Sequence, residues 1–121
     1  MKILVVDDSP PMRQIVKNAL RKIGYEDIIE ASDGEEAYSL IDDVDILITD
    51  WNMPKLDGLS LIKKIRADKK YASLLIMMVT TEGGKSAIVD AIRAGANNYV
   101  VKPFTKDFLK QKVEQLVKMK K

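Results

Sequence analysis

The 121-residue chain contains no cysteine and no histidine. The first absence excludes disulfides and thiolate chemistry, and the two together remove most zinc sites. Without imidazole there is no histidine base and no phosphohistidine within the chain. Any chemistry is left to carboxylates, hydroxyls and lysines. Long apolar runs are missing too: the longest, Leu74 to Val79, falls far short of the ~20 residues that span a bilayer. The apolar start, Met1 to Val6, is too short for a secretion signal. A cytoplasmic protein without membrane association is expected. No internal repeat, linker or low-complexity stretch is visible, and the length suits one domain over residues 1–121, with no room for a fused output module.

What is present is material for a core and a soluble surface, with 46% of residues hydrophobic and 31% charged, unlike a disordered chain. The net charge of +2 conceals an asymmetry: residues 1–60 hold 6 Lys/Arg against 13 Asp/Glu, and residues 61–121 hold 14 against 5. Two readings stay open. Either the first half builds a cation site and the second meets an acidic partner, or both are solvated helix faces.

Short β-branched runs alternate with segments of helical period, the pattern of a parallel sheet covered by helices on both faces. The expected strands are Ile3 to Val6, Ile28 to Ala31, Ile46 to Thr49, Leu75 to Val79 and Tyr99 to Val101. A first helix carries Met12, Ile15, Val16, Ala19, Leu20 and Ile23 inward, entered through Pro10-Pro11 and left at Gly24. A second follows the cap Asp33 with Ala37, Leu40, Ile41 and Val44 on one face, and a third follows Asp57-Gly58 with Ile62 and Ile65 inward. A fourth carries Ala87, Ile88, Ala91 and Ile92 and stops at Gly95. The fifth starts at the cap Thr105 and carries Leu109, Val113 and Leu116.

In such a fold, ligands gather outside the carboxyl ends of the strands, where strand order reverses. The first strand runs into Asp7-Asp8, the third into Asp50, the fourth into Thr80-Thr81 and the fifth into Lys102-Pro103. Each alone has an ordinary structural reading as a cap, a strand-end residue or a solvated charge. Together, three carboxylates on one rim repel one another unless a cation joins them. Oxygen ligands without His or Cys favour Mg²⁺, which accepts few protein oxygens and leaves positions for phosphate. Asp50 is then the nucleophile towards phosphorus, the metal and Lys102 neutralise the transferring group, and Thr80 hydrogen-bonds a phosphoryl oxygen.

Val5-Val6-Asp7-Asp8, Asp50-Trp51-Asn52-Met53-Pro54 with Asp57-Gly58, Thr80, and Tyr99-Val100-Val101-Lys102-Pro103-Phe104 resemble the receiver domains of two-component response regulators. The likeness covers nearly the whole chain. It is strongest to the stand-alone chemotaxis regulators of the CheY type, and it implies a flavodoxin-like, doubly wound sheet of five parallel strands with five helices. The order 2-1-3-4-5 is carried over from that family, for which it is the known order. The resemblance further implies that Asp50 takes a phosphoryl group from a histidine kinase. Asp8, Asp50 and the backbone carbonyl of Asn52 would bind Mg²⁺ directly, and Asp7 through water. Lys102 would pair with the phosphoryl group, Thr80 and Tyr99 would form the switch, and a cis Lys102-Pro103 bond is permitted.

The implied partner is the flagellar motor switch, met by the fourth helix, fifth strand and fifth helix through Lys85, Arg93, Tyr99, Lys106 and Lys110. Phosphate would draw Thr80 inward and vacate space that Tyr99 fills. A monomer is expected, with no nucleic-acid binding and no enzymatic activity beyond its own phosphorylation and dephosphorylation; an auxiliary phosphatase remains open. Thr81 departs from the small residue common in relatives, and Pro10-Pro11 stiffens the loop after the acidic pair. The resemblance implies that Glu82 and Asn52 border the site and tune its hydrolysis, with a solvent-facing loop charge the equal alternative for Glu82, while Gly83-Gly84 allows a loop into the fourth helix. The alternative role is a phosphate sink or a regulator of a non-motor protein. A flavin carrier on the same fold is disfavoured, because no phosphate-cradling loop follows the first strand.

Overall fold

The computed structural model describes residues 1–120. Five strands, β1 (Ile3–Val6), β2 (Ile28–Ala31), β3 (Ile46–Thr49), β4 (Leu75–Thr80) and β5 (Asn98–Val101), form one sheet in the order β2-β1-β3-β4-β5. Every pairing is parallel, with Val6 level with Ala31 and Thr49, and Thr80 level with Val101. The expected fold and order are therefore present. β4 reaches one residue further than expected, to Thr80, and β5 begins one earlier, at Asn98.

Strand residues alternate between two layers because successive side chains leave a strand on opposite faces. Ile3 and Val5 pack with Ile46, Ile48, Met77 and Val79 beneath α1 (Pro10–Ile23) and α5 (Lys106–Lys118). Leu4 and Val6 pack with Leu47, Ile76 and Met78 beneath α2 (Gly34–Leu40), α3 (Gly58–Arg66) and α4 (Lys85–Ala94). Four helices begin on side-chain caps: Ser9, Asp33, Asp57 and Thr105 accept from the amides of Met12, Glu36, Ser60 and Phe108. Pro10 and Pro11 sit at the first two positions of α1, where an amide has no helical partner to lose. Gly24 closes the same helix in the left-handed conformation, at φ 111°.

Some expected inward residues are not buried. Ile15, Leu40 and Ile92 are 45%, 38% and 47% exposed. A helix resting on a sheet buries a narrow stripe, here Val16, Ala19 and Leu20 in α1 and Ala91 in α4, and leaves flanking apolar residues wet. Val44 lies beyond α2, which ends at Leu40, and packs from the following loop.

Sequence periodicity also missed Arg66. Its guanidinium is half-buried with no carboxylate partner among the described residues, and burial pushes its pKa down. It donates instead to the carbonyls of Gly95, Tyr71 and Leu74 and to Asn97 Oδ1 at 2.7–3.1 Å, tying α3 to both ends of the β4–α4–β5 unit. Asn97 Oδ1 also accepts from the Ile76 amide at 2.8 Å. Gly95 is required beside this clamp, since a Cβ there would meet Arg66 Cγ at 2.5 Å.

The two layers set a measurable contrast. Leu109→Ala, at a fully buried position of α5, should lower the urea-unfolding free energy by about 2–5 kcal/mol. Ile15→Ala, on the wet flank of α1, should stay within about 0.5 kcal/mol of wild type.

Candidate metal centre

The carboxyl ends of β1 and β3 lie side by side, so the residues that leave them meet. Carboxylate oxygens of Asp7, Asp8 and Asp50 lie within 4.8 Å of one another. Asp7 is buried, Asp50 half-buried and Asp8 exposed, which opens the group to solvent on one side. Asp7 Oδ1 accepts from the Ser9 amide at 2.9 Å, and its own amide donates to Ala31. Asp50 Oδ1 accepts from the Trp51 amide at 2.6 Å, and the Asp50 amide donates to Val6.

Lys102, two strands away, reaches over the rim from the end of β5. Its Nζ donates to Asp7 Oδ2 at 2.9 Å and to Asp50 Oδ2 at 3.1 Å. The peptide bond that follows it, Lys102-Pro103, is cis. Burial alone would push the Lys102 ammonium down. The hydrogen bond to Asp7 and the charges of Asp50 and Asp7 outweigh burial and hold its pKa above the usual lysine value. Sequence reasoning placed Lys102 on a phosphoryl group and missed this prior pairing with Asp7, for which residues 95 positions apart carry no local signal.

Three carboxylates against one ammonium leave the cluster two charges from neutrality. A divalent cation closes that gap, and an all-oxygen donor set with an open side suits a hard ion such as Mg²⁺. The residues present therefore fit the metal.

The backbone beneath Asp50 is held from behind. Thr49 Oγ1 donates to the Asp50 carbonyl at 2.9 Å, and the Gly58 amide donates to the Trp51 carbonyl at 2.7 Å. A Cβ on Gly58 would fall 2.0 Å from the Asp50 carbonyl oxygen, so only glycine lets the start of α3 approach this closely.

Thr80 is fully buried at the end of β4, where its Oγ1 accepts from the Glu82 amide at 3.3 Å. Tyr99 is already packed inward, 9% exposed, and its hydroxyl donates to the Glu82 carbonyl. Asn52 Nδ2 donates to Glu82 Oε1 at 3.4 Å. Glu82 thus joins the two expected switch residues and Asn52. Its backbone role could not be read from sequence, since every residue carries the same amide and carbonyl.

The expected partner surface divides in two. Between α4, β5 and α5 runs a groove of about 640 Å³ lined by Ile88, Ile92, Tyr99, Val101, Phe108 and Lys112, among others. Exposed Lys85 opens α4 three and seven positions before Ile88 and Ile92, on their side of the helix. Arg93 is exposed and is not among the groove-lining residues. Lys106 and Lys110 do not face this groove; with Lys22 and Ile23 they border a smaller one between α1 and α5. Two residues of helix turn a side chain through roughly 200°, so Lys112, not Lys110, is the α5 cation on the α4 side.

The receiver-domain pattern described as "Response regulator receiver domain" matches residues 3–114. The chain is 55% identical to the Chemotaxis protein CheY homolog of Campylobacter jejuni over 120 residues, 97% of this chain and 92% of that protein. It is likewise 55% identical to Chemotaxis protein CheY1 of Helicobacter pylori over 117 residues, 94% of each. Among solved structures, the chemotaxis response regulator CheY4 of Vibrio cholerae superimposes with a TM-score of 0.87 at 34% identity, covering 95% of this chain and 97% of that one.

Two measurements check the site. Mg²⁺ titration should change the fluorescence of Trp51, the single tryptophan, whose amide is bonded to Asp50, and Asp8→Ala should remove the response. Burial, followed by the charges of Glu82 and Asp50, pushes the Tyr99 phenol up to about 12. Because the folded value exceeds the ordinary tyrosine pKa of about 10, the stability this group contributes is complete below about pH 10. It declines as pH rises through about 12. Ultraviolet titration should show that late phenolate step in wild type and lack it in Tyr99→Phe.

Proposed function

The chain belongs to the family of response regulator receiver domains, and from that membership we propose that it is a chemotaxis regulator whose phosphorylation on Asp50 controls binding to the flagellar motor switch. The supporting observation is the meeting of Asp7, Asp8 and Asp50 beneath the Lys102 ammonium at the carboxyl rim of the sheet.

An oxygen of the Asp50 carboxylate attacks the phosphorus of a phosphohistidine on the kinase. The new O–P bond forms as the P–N bond breaks, and the imidazole leaves with a proton from solvent. Asp8, Asp50 and the Asn52 carbonyl are the residues that would hold Mg²⁺, with Asp7 acting through water. When bound, the ion supplies charge neutralisation at the transferring group. Lys102 exchanges its bond to Asp50 for one to a phosphoryl oxygen and keeps Asp7 as its second partner. The Thr80 hydroxyl donates its proton to another phosphoryl oxygen, while the lone pairs of Oγ1 stay open to the Glu82 amide.

A Thr80 drawn towards Asp50 therefore carries the Glu82 loop with it, and the Tyr99 hydroxyl follows the Glu82 carbonyl. On this reading phosphorylation shifts a pre-existing equilibrium and does not create a new fold. The readout surface is the groove between α4, β5 and α5, whose apolar floor and flanking Lys85 and Lys112 suit an amphipathic acidic helix. As a signalling protein the chain turns over no external substrate and catalyses only its own phosphorylation and dephosphorylation. Among the described residues no helix is long and apolar enough to cross a membrane, and a cytoplasmic site of action fits the diffusible role.

Labelled phosphate from a chemoreceptor-coupled histidine kinase should transfer to wild type and not to Asp50→Asn. Beryllofluoride, a phosphate mimic, should raise affinity for the motor switch protein about tenfold or more, in the usual range of allosteric coupling. Equal affinity with and without it would sink the motor reading and favour a phosphate sink.

A further inference from the structure

Two of the three carboxylates are held by hydrogen bonds of their own. Asp7 accepts from Ser9 and Lys102, and Asp50 accepts from Trp51 and Lys102. The Asp8 side chain accepts none among the described residues. What fixes the place from which it reaches the site is its backbone, and so the peptide plane that joins Asp7 to Asp8. One side chain grips that plane: Arg13, in the first turn of α1, donates through Nη1 to the Asp7 carbonyl.

Arg13 is itself held. Its Nε donates to Glu30 Oε1 at 3.1 Å, and Lys17, one helical turn further along, donates to Glu30 Oε2 at 2.8 Å. The Arg13 and Lys17 side chains are only 17% and 13% exposed. Glu30 stands on β2 opposite Val5 of β1, so it is fixed by the sheet. The hydrogen bond from Lys17 leads the influences that hold its carboxyl below the usual range, with Arg13 adding to it against burial. Glu30 thus remains an anionic anchor at neutral pH.

We propose that Arg13 is a positioning residue of the metal centre: braced by Glu30, its guanidinium clamps the Asp7 carbonyl and so aims the otherwise unheld Asp8 carboxylate at the cation. The clamp needs two donors pointing in different directions from one rigid plane, one to a carboxylate and one to a carbonyl. Guanidinium supplies that geometry and a lysine ammonium on a flexible stem does not. This rests on the reading of the acidic trio as a Mg²⁺ site.

The test is Mg²⁺ affinity read by Trp51 fluorescence in wild type, Arg13→Gln, Arg13→Lys, Glu30→Gln and the Arg13→Gln/Glu30→Gln pair, with thermal melts in chelator. Arg13→Gln should weaken Mg²⁺ about tenfold, the scale of lost support behind a metal ligand. Arg13→Lys should fail to restore it, although it keeps the charge. Glu30→Gln should weaken Mg²⁺ in the same direction by less, and the pair should be no worse than Arg13→Gln alone, because both act through one clamp. Metal-free melting should stay close to wild type. Wild-type affinity in Arg13→Gln, recovery in Arg13→Lys, or losses that multiply in the pair would overturn the proposal and leave the metal centre standing. A loss of affinity matched by loss of the metal-free fold would make Arg13 a structural residue and overturn it equally. A wild type without any Mg²⁺ response would remove the metal reading and this inference together.

Discussion

The ammonium of Lys102 lies 2.9 Å from Asp7 and 3.1 Å from Asp50, and the rest of the rim is organised around that balance of charge. All three side chains are close to nine-tenths buried, at 11%, 6% and 12% exposure. Removing one partner would strand a charge in a poorly solvated place, which is costly; keeping all three leaves a surplus of negative charge that favours cations. The same pairing brings a cationic donor to the edge of the Asp50 carboxylate. One ammonium thus compensates two neighbouring carboxylates.

From this pairing the structure extends in two directions. Lys102 continues β5, and its amide donates to the Thr80 carbonyl at 2.8 Å, so the cation and Thr80 are locked in register. Glu82 follows, donating to Thr80 and accepting from Tyr99. Tyr99 belongs both to the core under α4 and to the wall of the α4–β5–α5 groove. Thr80 is therefore connected to an exposed surface through one loop residue and one aromatic side chain. In the other direction, Asp7 leads through its carbonyl to Arg13 and from there to Glu30 on the edge strand β2. The site is braced from both sides of the sheet.

The strands and caps were legible because their signals are local. Apolar runs such as Ile46–Thr49 announce a strand buried on both faces, and Thr105 before the apolar spacing of Leu109, Val113 and Leu116 announces a capped helix. Asp7, Asp8, Asp50, Thr80 and Lys102 were legible as a set because each ends a strand or follows one directly, and a parallel sheet brings such ends to one rim. Exposure was less legible. Ile15 and Ile92 have the spacing of core residues but lie on helix flanks, because the width of the buried stripe depends on what the helix rests against. The division of α5 lysines between two grooves was hidden for the same reason: a helix presents lysines on every side, and only its neighbours decide which side is a groove.

The amino-acid order by itself determined the element sequence, the caps and the set of groups available for chemistry, since these follow from backbone preference and side-chain type over a few residues. Only the tertiary structure decided that Lys102 bridges Asp7 and Asp50, that Arg66 is satisfied by three carbonyls from two segments, and that the Glu82 backbone joins Thr80 to Tyr99. The physical reason is common to all three. Each depends on distances of about 3 Å between groups carried by different strands, helices or loops, and such distances are set by packing of the sheet and its helices, which no local pattern encodes.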